Sequence, residues 1–136
     1  MDNIIHQKVT LKCDAVLAFD MFTKNEYLQK WLTKEAVVEP KVGGKYELFW
    51  IPEDRENDST IGCKILAIEK GKILNFEWKG PKQYKEFMNT RRPFTNVTVF
   101  FNSTGSSTEV NLIHTGWGEG ENWEEARLWF DNTKQI

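Results

Sequence analysis

Apolar side chains recur at alternate positions near the start of the chain and then at helical spacing. Between residues 4 and 13, every second side chain lies on one side and most of these are apolar, which predicts a half-buried strand. From residue 15 to 22, apolar residues follow at i, i+3, i+4 and i+7, which predicts an amphipathic helix. Asp14 precedes this stripe and is a suitable N-cap, because its short side chain accepts backbone N–H groups.

A second short helix is predicted directly after the first. Thr23 and Glu26 have the spacing of a capping box, in which each side chain bonds a backbone N–H at the start of a helix. Leu28, Trp31 and Leu32 would form the apolar face of this helix. The chain therefore begins with a strand followed by two short helices that meet at a bend.

The middle of the chain has the alternating pattern of β-strands separated by turn residues. Polar segments at 51–60 and 79–96 interrupt this pattern. The connection at 79–96 is longer than a hairpin loop, so we expect it to contain a short helix or to act as a lid. The predicted strands cover residues 45–50, 62–69, 74–78, 97–101 and 110–114.

This order of elements predicts an α+β fold. Strands joined by short turns form an antiparallel sheet, and a sheet that is apolar on one side needs a cover. A final helix from about residue 121 is the available cover. One side of it carries Trp123, Ala126, Arg127 and Phe130. We therefore predict one domain over residues 1–136, in which a curved antiparallel sheet of six or seven strands grips the C-terminal helix.

The composition agrees with a folded domain that needs no disulfide. The 136 residues include six Trp and nine Phe and carry a net charge of -2, which argues against disorder and against general attraction to nucleic acid or anionic lipid. No apolar stretch approaches the ~18 residues of a membrane span, and residues 1–12 lack the features of a secretory signal. Cys13 and Cys63 are therefore expected to be reduced core residues, and the compartment the cytoplasm.

Several short motifs follow one another in a particular order along most of the chain. They are Phe22-Thr23 with Glu26, Leu28 and Trp31-Leu32; Val42-Gly43-Gly44 with Tyr46; Gly62; Phe76 and Trp78; Val97 and Phe101; and Leu112, His114, Gly116 and Trp117 leading to Trp123. In this order and spacing, the chain resembles the START-like superfamily, also called SRPBCC or helix-grip. Within it, the chain is similar to the family named for the C-terminal domain of the activator of the heat-shock-protein-90 ATPase.

The resemblance implies a helix-grip fold but selects no function, because that superfamily includes transporters, cyclases, hydrolases, hormone receptors and co-chaperone domains. Members of the similar family usually continue the last helix by several further turns. Here the sequence stops at Ile136 after a polar run at 131–135. We therefore expect either a short helix with a more open cavity, or a chain that lacks its natural end.

No motif for a metal or a nucleotide cofactor is found in the sequence. His6 and His114 lie on the first and last predicted strands, and neither belongs to a cluster of ligands at metal-binding spacing. A strand rather than a helix follows Gly43–Gly44, so this pair indicates a turn and not a phosphate site. We therefore expect no metal site, no cofactor and no catalytic residue set.

A few polar residues could still face a bound molecule. His114 shares the side of the strand that carries Leu112, so it could contact a ligand, exchange a proton with it, or be an ordinary buried histidine. Arg127 could hold a ligand carboxylate, pair with an internal acid or extend to the rim. Arg91 and Arg92 could meet an anionic group or a partner, or form an exposed basic pair.

The tryptophans carry the most information about a site. Five of them fall on separate predicted elements, all on inferred inward sides. Packing accounts for most of their role, but a curved sheet around one helix often leaves a pocket, and aromatic walls suit an apolar molecule. The predicted cavity lining consists of Trp31, Tyr46, Leu48, Trp50, Phe76, Trp78, Val99, Phe101, Leu112, His114, Trp117, Trp123 and Arg127.

Three functional hypotheses follow. A non-enzymatic domain that binds a small hydrophobic or aromatic molecule agrees with the inward aromatics and with the lack of a catalytic set. The family resemblance suggests a chaperone-associated protein-interaction module instead. A cyclase or hydrolase would need His114 within hydrogen-bond reach of an acid or of the ligand. Neither a nucleic acid nor a membrane is an expected partner.

Overall fold

A computed structural model describes residues 4–133 and shows seven strands and four α-helices among them. The strands are β1 (Ile5–Leu11), β2 (Glu35–Val38), β3 (Tyr46–Phe49), β4 (Ile65–Glu69), β5 (Ile73–Trp78), β6 (Thr95–Thr104) and β7 (Ser107–Thr115). The helices are α1 (Ala15–Thr23), α2 (Asn25–Trp31), α3 (Lys85–Met88), which follows a 3₁₀ turn at Lys82–Tyr84, and α4 (Glu121–Asn132).

Five strands form one antiparallel sheet in the order β1-β7-β6-β5-β4, and β2 and β3 form a separate antiparallel pair. An isolated bridge between Lys45 and Lys64 connects the two groups of strands. The long β6–β7 hairpin turns at Gly105, whose φ of 77° lies in the left-handed region that glycine adopts without strain. The predicted α+β helix-grip architecture is therefore confirmed.

The two groups of helices cover the same apolar face of the large sheet. Helix α1 contacts β6 and β7, where the edges of Phe19 and Phe22 each meet the ring of Phe101 at centroid distances of 5.5 Å. Helix α4 contacts β1 and buries Ala126 and Phe130. Residues 134–136, where the sequence suggested a truncated helix, lie outside the described part of the chain.

Two local predictions about the helices and strands were wrong or incomplete. Thr23 ends α1, and its hydroxyl donates to the carbonyl of Phe19 (3.0 Å) rather than capping α2. Lys24 is the N-cap of α2 and offers no side-chain bond, so the capping box does not form. No element is predicted from the sequence for residues 35–38, which form the short strand β2. The connection at 79–96 does contain helical turns, as expected.

Asp14 caps α1 as predicted, since its Oδ1 accepts the N–H of Leu17 at 2.8 Å. We expect Asp14→Ala to lower the free energy of unfolding by about 1 kcal/mol, because a backbone donor at the helix start loses its partner. Asp14→Asn should stay within about 0.5 kcal/mol of wild type, since asparagine caps helices equally well. Urea denaturation of both variants checks this. An equal loss in both variants would contradict the capping role.

None of the helices in the described part of the chain is long and apolar enough to cross a membrane. Cys13 and Cys63 are both free thiols. Cys63 is fully buried, and this burial raises the pKa of its thiol to about 12. The thiol of Cys63 is therefore protonated at neutral pH.

Candidate functional site

A cavity of about 930 Å³ lies between the large sheet, the β2–β3 pair and the end of α4. Most of its walls are apolar or aromatic side chains. They are Phe22, Trp31 and Leu32 from the α1–α2 region; Tyr46, Trp50 and Ile51 on and after β3; Phe76, Trp78, Val97 and Leu112 on β5, β6 and β7; and Trp129 and Phe130 on α4.

Aromatic rings in the walls hold one another in place. Tyr46 and Phe76 are stacked with centroids 3.9 Å apart, and Trp78 lies beside Phe76 at 5.8 Å. Trp50 meets Trp78 edge-on at 6.0 Å. Such contacts fix the orientation of large side chains that have few rotatable bonds, so the walls form a rigid aromatic surface.

Most polar atoms in these walls are already bonded to the main chain. The indole N–H of Trp31 donates to the carbonyl of Met21 (2.7 Å), and that of Trp50 donates to the carbonyl of Leu32 (2.9 Å). The hydroxyl of Tyr46 donates to the carbonyl of Phe22 (2.6 Å), and burial raises the pKa of this phenol. These groups are neutral and occupied, so they make the interior a suitable environment for an apolar molecule.

Polar groups collect at the rim, where two loops meet. Oδ1 of Asp58 accepts the backbone N–H of Lys82 (2.9 Å), and Nζ of Lys85 donates to Oδ1 of Asn57 (2.6 Å). The hydroxyl of Ser59 donates to the carbonyl of Arg55 (2.5 Å). The first two bonds join the 51–60 loop to the 79–96 connection, and the third lies within the 51–60 loop. Residues of both segments border the cavity.

Six of the residues predicted to line a cavity do border this one, and they are Trp31, Tyr46, Trp50, Phe76, Trp78 and Leu112. Trp50 lies at the rim and is 36% exposed, whereas Trp78 is only 8% exposed. The inward side of the β-strands therefore supplies most of the shared residues, because alternation along a strand determines which side chains face the interior.

The other predicted residues on β3 and β6 lie in solid core rather than at the cavity. Leu48, Val99 and Phe101 are buried but are absent from the lining. Helix α1 covers the sheet at Phe101 through the rings of Phe19 and Phe22. Side chains on the inward side of the strands thus pack against a helix at one end of the sheet and face the cavity at the other.

Residues near the last strand and the last helix also lie away from the cavity lining. Trp117 and Trp123 belong to an aromatic cluster in which Trp117 contacts Phe130 (5.5 Å) and Trp123 contacts Phe87 (5.1 Å). Arg127 pairs with Glu124 on the same helix, with Nη2 and Oε1 2.5 Å apart. Because the side chain of Glu124 is 46% exposed, this is not the pairing with an internal acid that was one of the expected alternatives.

The two loop arginines rest on aromatic rings. The guanidinium of Arg91 lies 4.9 Å from the centroid of Trp123 and donates to the carbonyl of Gly116 (3.4 Å). The guanidinium of Arg92 lies 4.3 Å from the centroid of Phe94. Both contacts are cation–π interactions of the kind that hold loops against a surface.

His114 is fully buried next to the cavity wall but does not border the cavity. Its Nε2 is 3.0 Å from the hydroxyl of Thr95, and no partner for its Nδ1 is found in the described residues. Its ring contacts Trp117 (4.4 Å) and Phe130 (5.3 Å). Burial lowers the pKa of the imidazole to about 3, so it is neutral at pH 7. Among the described residues, these contacts give His114 neither of the two partners that the hydrolase hypothesis allows, an acid or a molecule in the cavity.

The low pKa of His114 makes stability depend on pH. A histidine in the unfolded chain has a pKa of about 6.5. As the pH falls below ~6.5, the unfolded state binds a proton that the folded state does not yet bind. The free energy of unfolding therefore decreases below this pH. When the pH is lowered from 6.5 to 5, we expect this residue alone to lower the free energy of unfolding by about 1.5 kcal/mol.

The measurement is the free energy of unfolding by urea at both pH values. His114→Gln should lower the difference between the two pH values by that amount, whatever its absolute stability. His6→Gln is the matched control, because His6 is exposed and its Nε2 meets the side chain of Asn111 (2.8 Å). An unchanged difference in His114→Gln would contradict the account.

Several lining residues were missed by the sequence analysis. Phe22, Leu32, Val97 and Phe130 were assigned to apolar faces, but nothing in their spacing distinguished cavity from core. Trp129 lies beside the predicted apolar stripe of α4 and is 36% exposed, so helical periodicity placed it outside. Residues 58–59 and 79–83 border the rim from polar loops that carry no periodic signal.

Within residues 4–133, no group of three or more His, Cys, Asp and Glu side chains is arranged to hold a metal ion. The arrangement as a whole offers apolar surface and fixed aromatic rings.

Comparison with solved structures supports the fold. The protein MLL2253 from Mesorhizobium loti has a TM-score of 0.73 at 15% identity, over 96% of this chain and 87% of that one. An HSP90 activator from Plasmodium falciparum, PFC0360w, has a TM-score of 0.67 at 23% identity, over 90% and 79%. The Aha1 dimer from Colwellia psychrerythraea has a TM-score of 0.63 at 14% identity, over 98% and 96%.

The comparison with curated protein sequences gives no match. The family model described as "Activator of Hsp90 ATPase homolog 1-like protein" matches residues 12–135. This match covers nearly the whole chain and agrees with the motifs and the fold. The chain belongs to the activator of Hsp90 ATPase homolog 1-like family, within the START-like group of ligand-binding or chaperone-associated domains.

Proposed function

We propose that this protein binds a small, uncharged hydrophobic or aromatic molecule in its interior cavity and does so without catalysing a reaction. The observation that carries the proposal is the cavity of about 930 Å³ with aromatic walls. Ligand sites in proteins commonly measure about 300–1,000 Å³ and are lined mostly by hydrophobic and aromatic side chains.

The compartment that we propose for this protein is the cytoplasm. The free thiols of Cys13 and Cys63 suit its reducing conditions.

The apolar walls of the cavity make the binding of an apolar molecule favourable. Apolar surface removed from water contributes about 25 cal/mol per Å², and the polar atoms of Trp31, Trp50 and Tyr46 are already satisfied. A ligand therefore gains contact with apolar surface without displacing these hydrogen bonds. Rigid aromatic rings also keep the ordering cost of binding low.

Native mass spectrometry of the freshly purified protein tests the proposal. We expect a co-purifying species of small mass that is released on unfolding, and a change in tryptophan fluorescence when apolar aromatic compounds are added to protein stripped of that species. Protein that carries no such species and shows no fluorescence change with any apolar compound would overturn the proposal.

A second candidate is a protein-interaction module that acts with a chaperone. Exposed apolar side chains favour it, since Trp50, Ile51, Leu128 and Trp129 are each 36–45% exposed. Three of these residues also border the cavity. An Hsp90 ATPase assay with and without this protein tests the idea, and an increase in rate that is lost in Leu128→Ser would support it. An unchanged rate would rule it out.

A further inference from the structure

We infer that the indole N–H of Trp78 binds a carbonyl oxygen of the ligand, so that the molecule in the cavity is an aromatic ketone, quinone or similar uncharged carbonyl compound. This inference rests on the proposed binding function and names the class of ligand for the same cavity. It depends on which polar atoms in the cavity walls have partners and which do not.

Trp78 differs from the other tryptophans of the inner wall. Trp31 and Trp50 donate their N–H groups to main-chain carbonyls at 2.7 and 2.9 Å. Trp78 lines the cavity and is only 8% exposed, yet no residue among 4–133 accepts its N–H. Trp129 also lines the cavity, but it is 36% exposed and water can reach it.

In the free protein, water in the cavity can hydrate this N–H. A ligand that displaces the water without offering an acceptor leaves the donor unsatisfied, at a cost of about 1–3 kcal/mol, and a ligand oxygen placed against it removes that cost. The donor therefore favours a ligand with a hydrogen-bond acceptor over a hydrocarbon of the same shape. Recognition of this kind gives specificity to a cavity whose other walls are apolar.

The acceptor is expected to be uncharged. The walls near Trp78 are the rings of Trp50 and Phe76, at 6.0 and 5.8 Å, and a carboxylate placed among them would lose its hydration. The charged residues of the lining belong to the two loops at the rim: Asp58 would repel an anion, and the cations there are Lys82 and Lys79, whose Nζ lies 5.3 Å from the centroid of Phe94. A carbonyl oxygen accepts a hydrogen bond at a much lower desolvation cost.

The position of the donor is fixed by the sheet. Trp78 is the last residue of β5 and pairs with Thr95 at the start of β6. Its ring contacts Trp50 edge-on and Phe76 at a tilt, at centroid distances of 6.0 and 5.8 Å. The N–H therefore keeps one direction, and a ligand oxygen has one place to bind.

Two compounds of nearly identical shape test the inference. 2-Acetylnaphthalene carries a carbonyl where 2-ethylnaphthalene carries a methylene group, and both can be titrated by the quenching of tryptophan fluorescence or by calorimetry. The quantity measured is the ratio of their dissociation constants in each protein. Because this ratio is compared between variants, the difference in water solubility of the two compounds cancels.

Trp78→Phe removes the N–H and keeps an aromatic ring, and Trp117→Phe is the control, because Trp117 lies outside the cavity lining and its N–H already donates to the carbonyl of His114 (3.1 Å). We expect Trp78→Phe to reduce the preference for the ketone by about 3- to 10-fold, which corresponds to one hydrogen bond of about 0.7–1.4 kcal/mol. Trp117→Phe should leave the preference unchanged.

The outcomes separate the inference from the proposed function. If neither compound binds the wild-type protein, the proposed function fails. If both bind but the preference for the ketone is the same in Trp78→Phe as in wild type, the binding function stands and the role of Trp78 is overturned. An equal loss of preference in Trp117→Phe would also overturn it.

Discussion

Replacing Val97 by phenylalanine leaves the free energy of unfolding within about 1 kcal/mol of wild type, whereas the same change at Val99 lowers it by about 1–3 kcal/mol. Both valines are buried on the same side of β6, two residues apart. Val97 borders the cavity and Val99 does not. The larger ring therefore has empty space to enter at one position and overpacks a filled core at the other.

The same pair of variants separates binding from stability. Val97→Phe should weaken the binding of 2-ethylnaphthalene by about tenfold or more, because the new ring occupies volume that the ligand needs, and tenfold corresponds to about 1.4 kcal/mol. Urea denaturation gives the stabilities and calorimetry the affinities. Equal destabilisation by the two substitutions would mean that the interior is filled at Val97 and that no cavity exists there.

Phe101→Ala lowers the free energy of unfolding by about 3–5 kcal/mol, the largest effect expected of any substitution considered. Phe101 is 4% exposed and receives the edges of Phe19 and Phe22, each at 5.5 Å. Removing the ring leaves a void between α1 and the sheet and also removes both aromatic contacts. The measurement is again urea denaturation.

Phe101→Leu provides the control for Phe101→Ala. It keeps most of the apolar volume and should cost less than half as much, because only a smaller void remains. Equal losses for alanine and leucine would indicate that the aromatic edges, and not the filled volume, hold α1 on the sheet. A loss below about 1 kcal/mol for alanine would show that α1 is not packed there.

The fold followed from the sequence because its signals are local. Alternation along the strands and the helical stripe at 15–22 gave the correct order of elements, and Asp14 caps α1 as its side chain predicts. The capping box at Thr23 failed, because the hydroxyl of Thr23 found an acceptor in the preceding turn. Among residues 4–133, the short strand β2 pairs with β3 alone, and four residues are too few for a clear period.

The residues of the site could be predicted less completely from the sequence, because the position of a cavity depends on long-range packing. Alternation along the strands places Tyr46, Phe76 and Leu112 on the inward side, and it places Val99 and Phe101 there as well. Of these residues, only the first three border the cavity. The difference comes from α1, which contacts the sheet over β6 and β7. The periodicity of a strand does not indicate which part of the strand a helix will cover. The rim residues and Trp129 come from loops and from the edge of a helical stripe, where periodicity is uninformative.

The most direct test is to detect a small apolar molecule inside the protein. Intermolecular nuclear Overhauser effects should be measured between 2-ethylnaphthalene and the methyl groups of the ¹³C-labelled protein. We predict contacts to the methyl groups of Val97 and Leu112, which border the cavity, and none to Val99, which does not. Absence of binding up to the solubility of the compound, or contacts confined to exposed residues such as Leu128, would contradict the account.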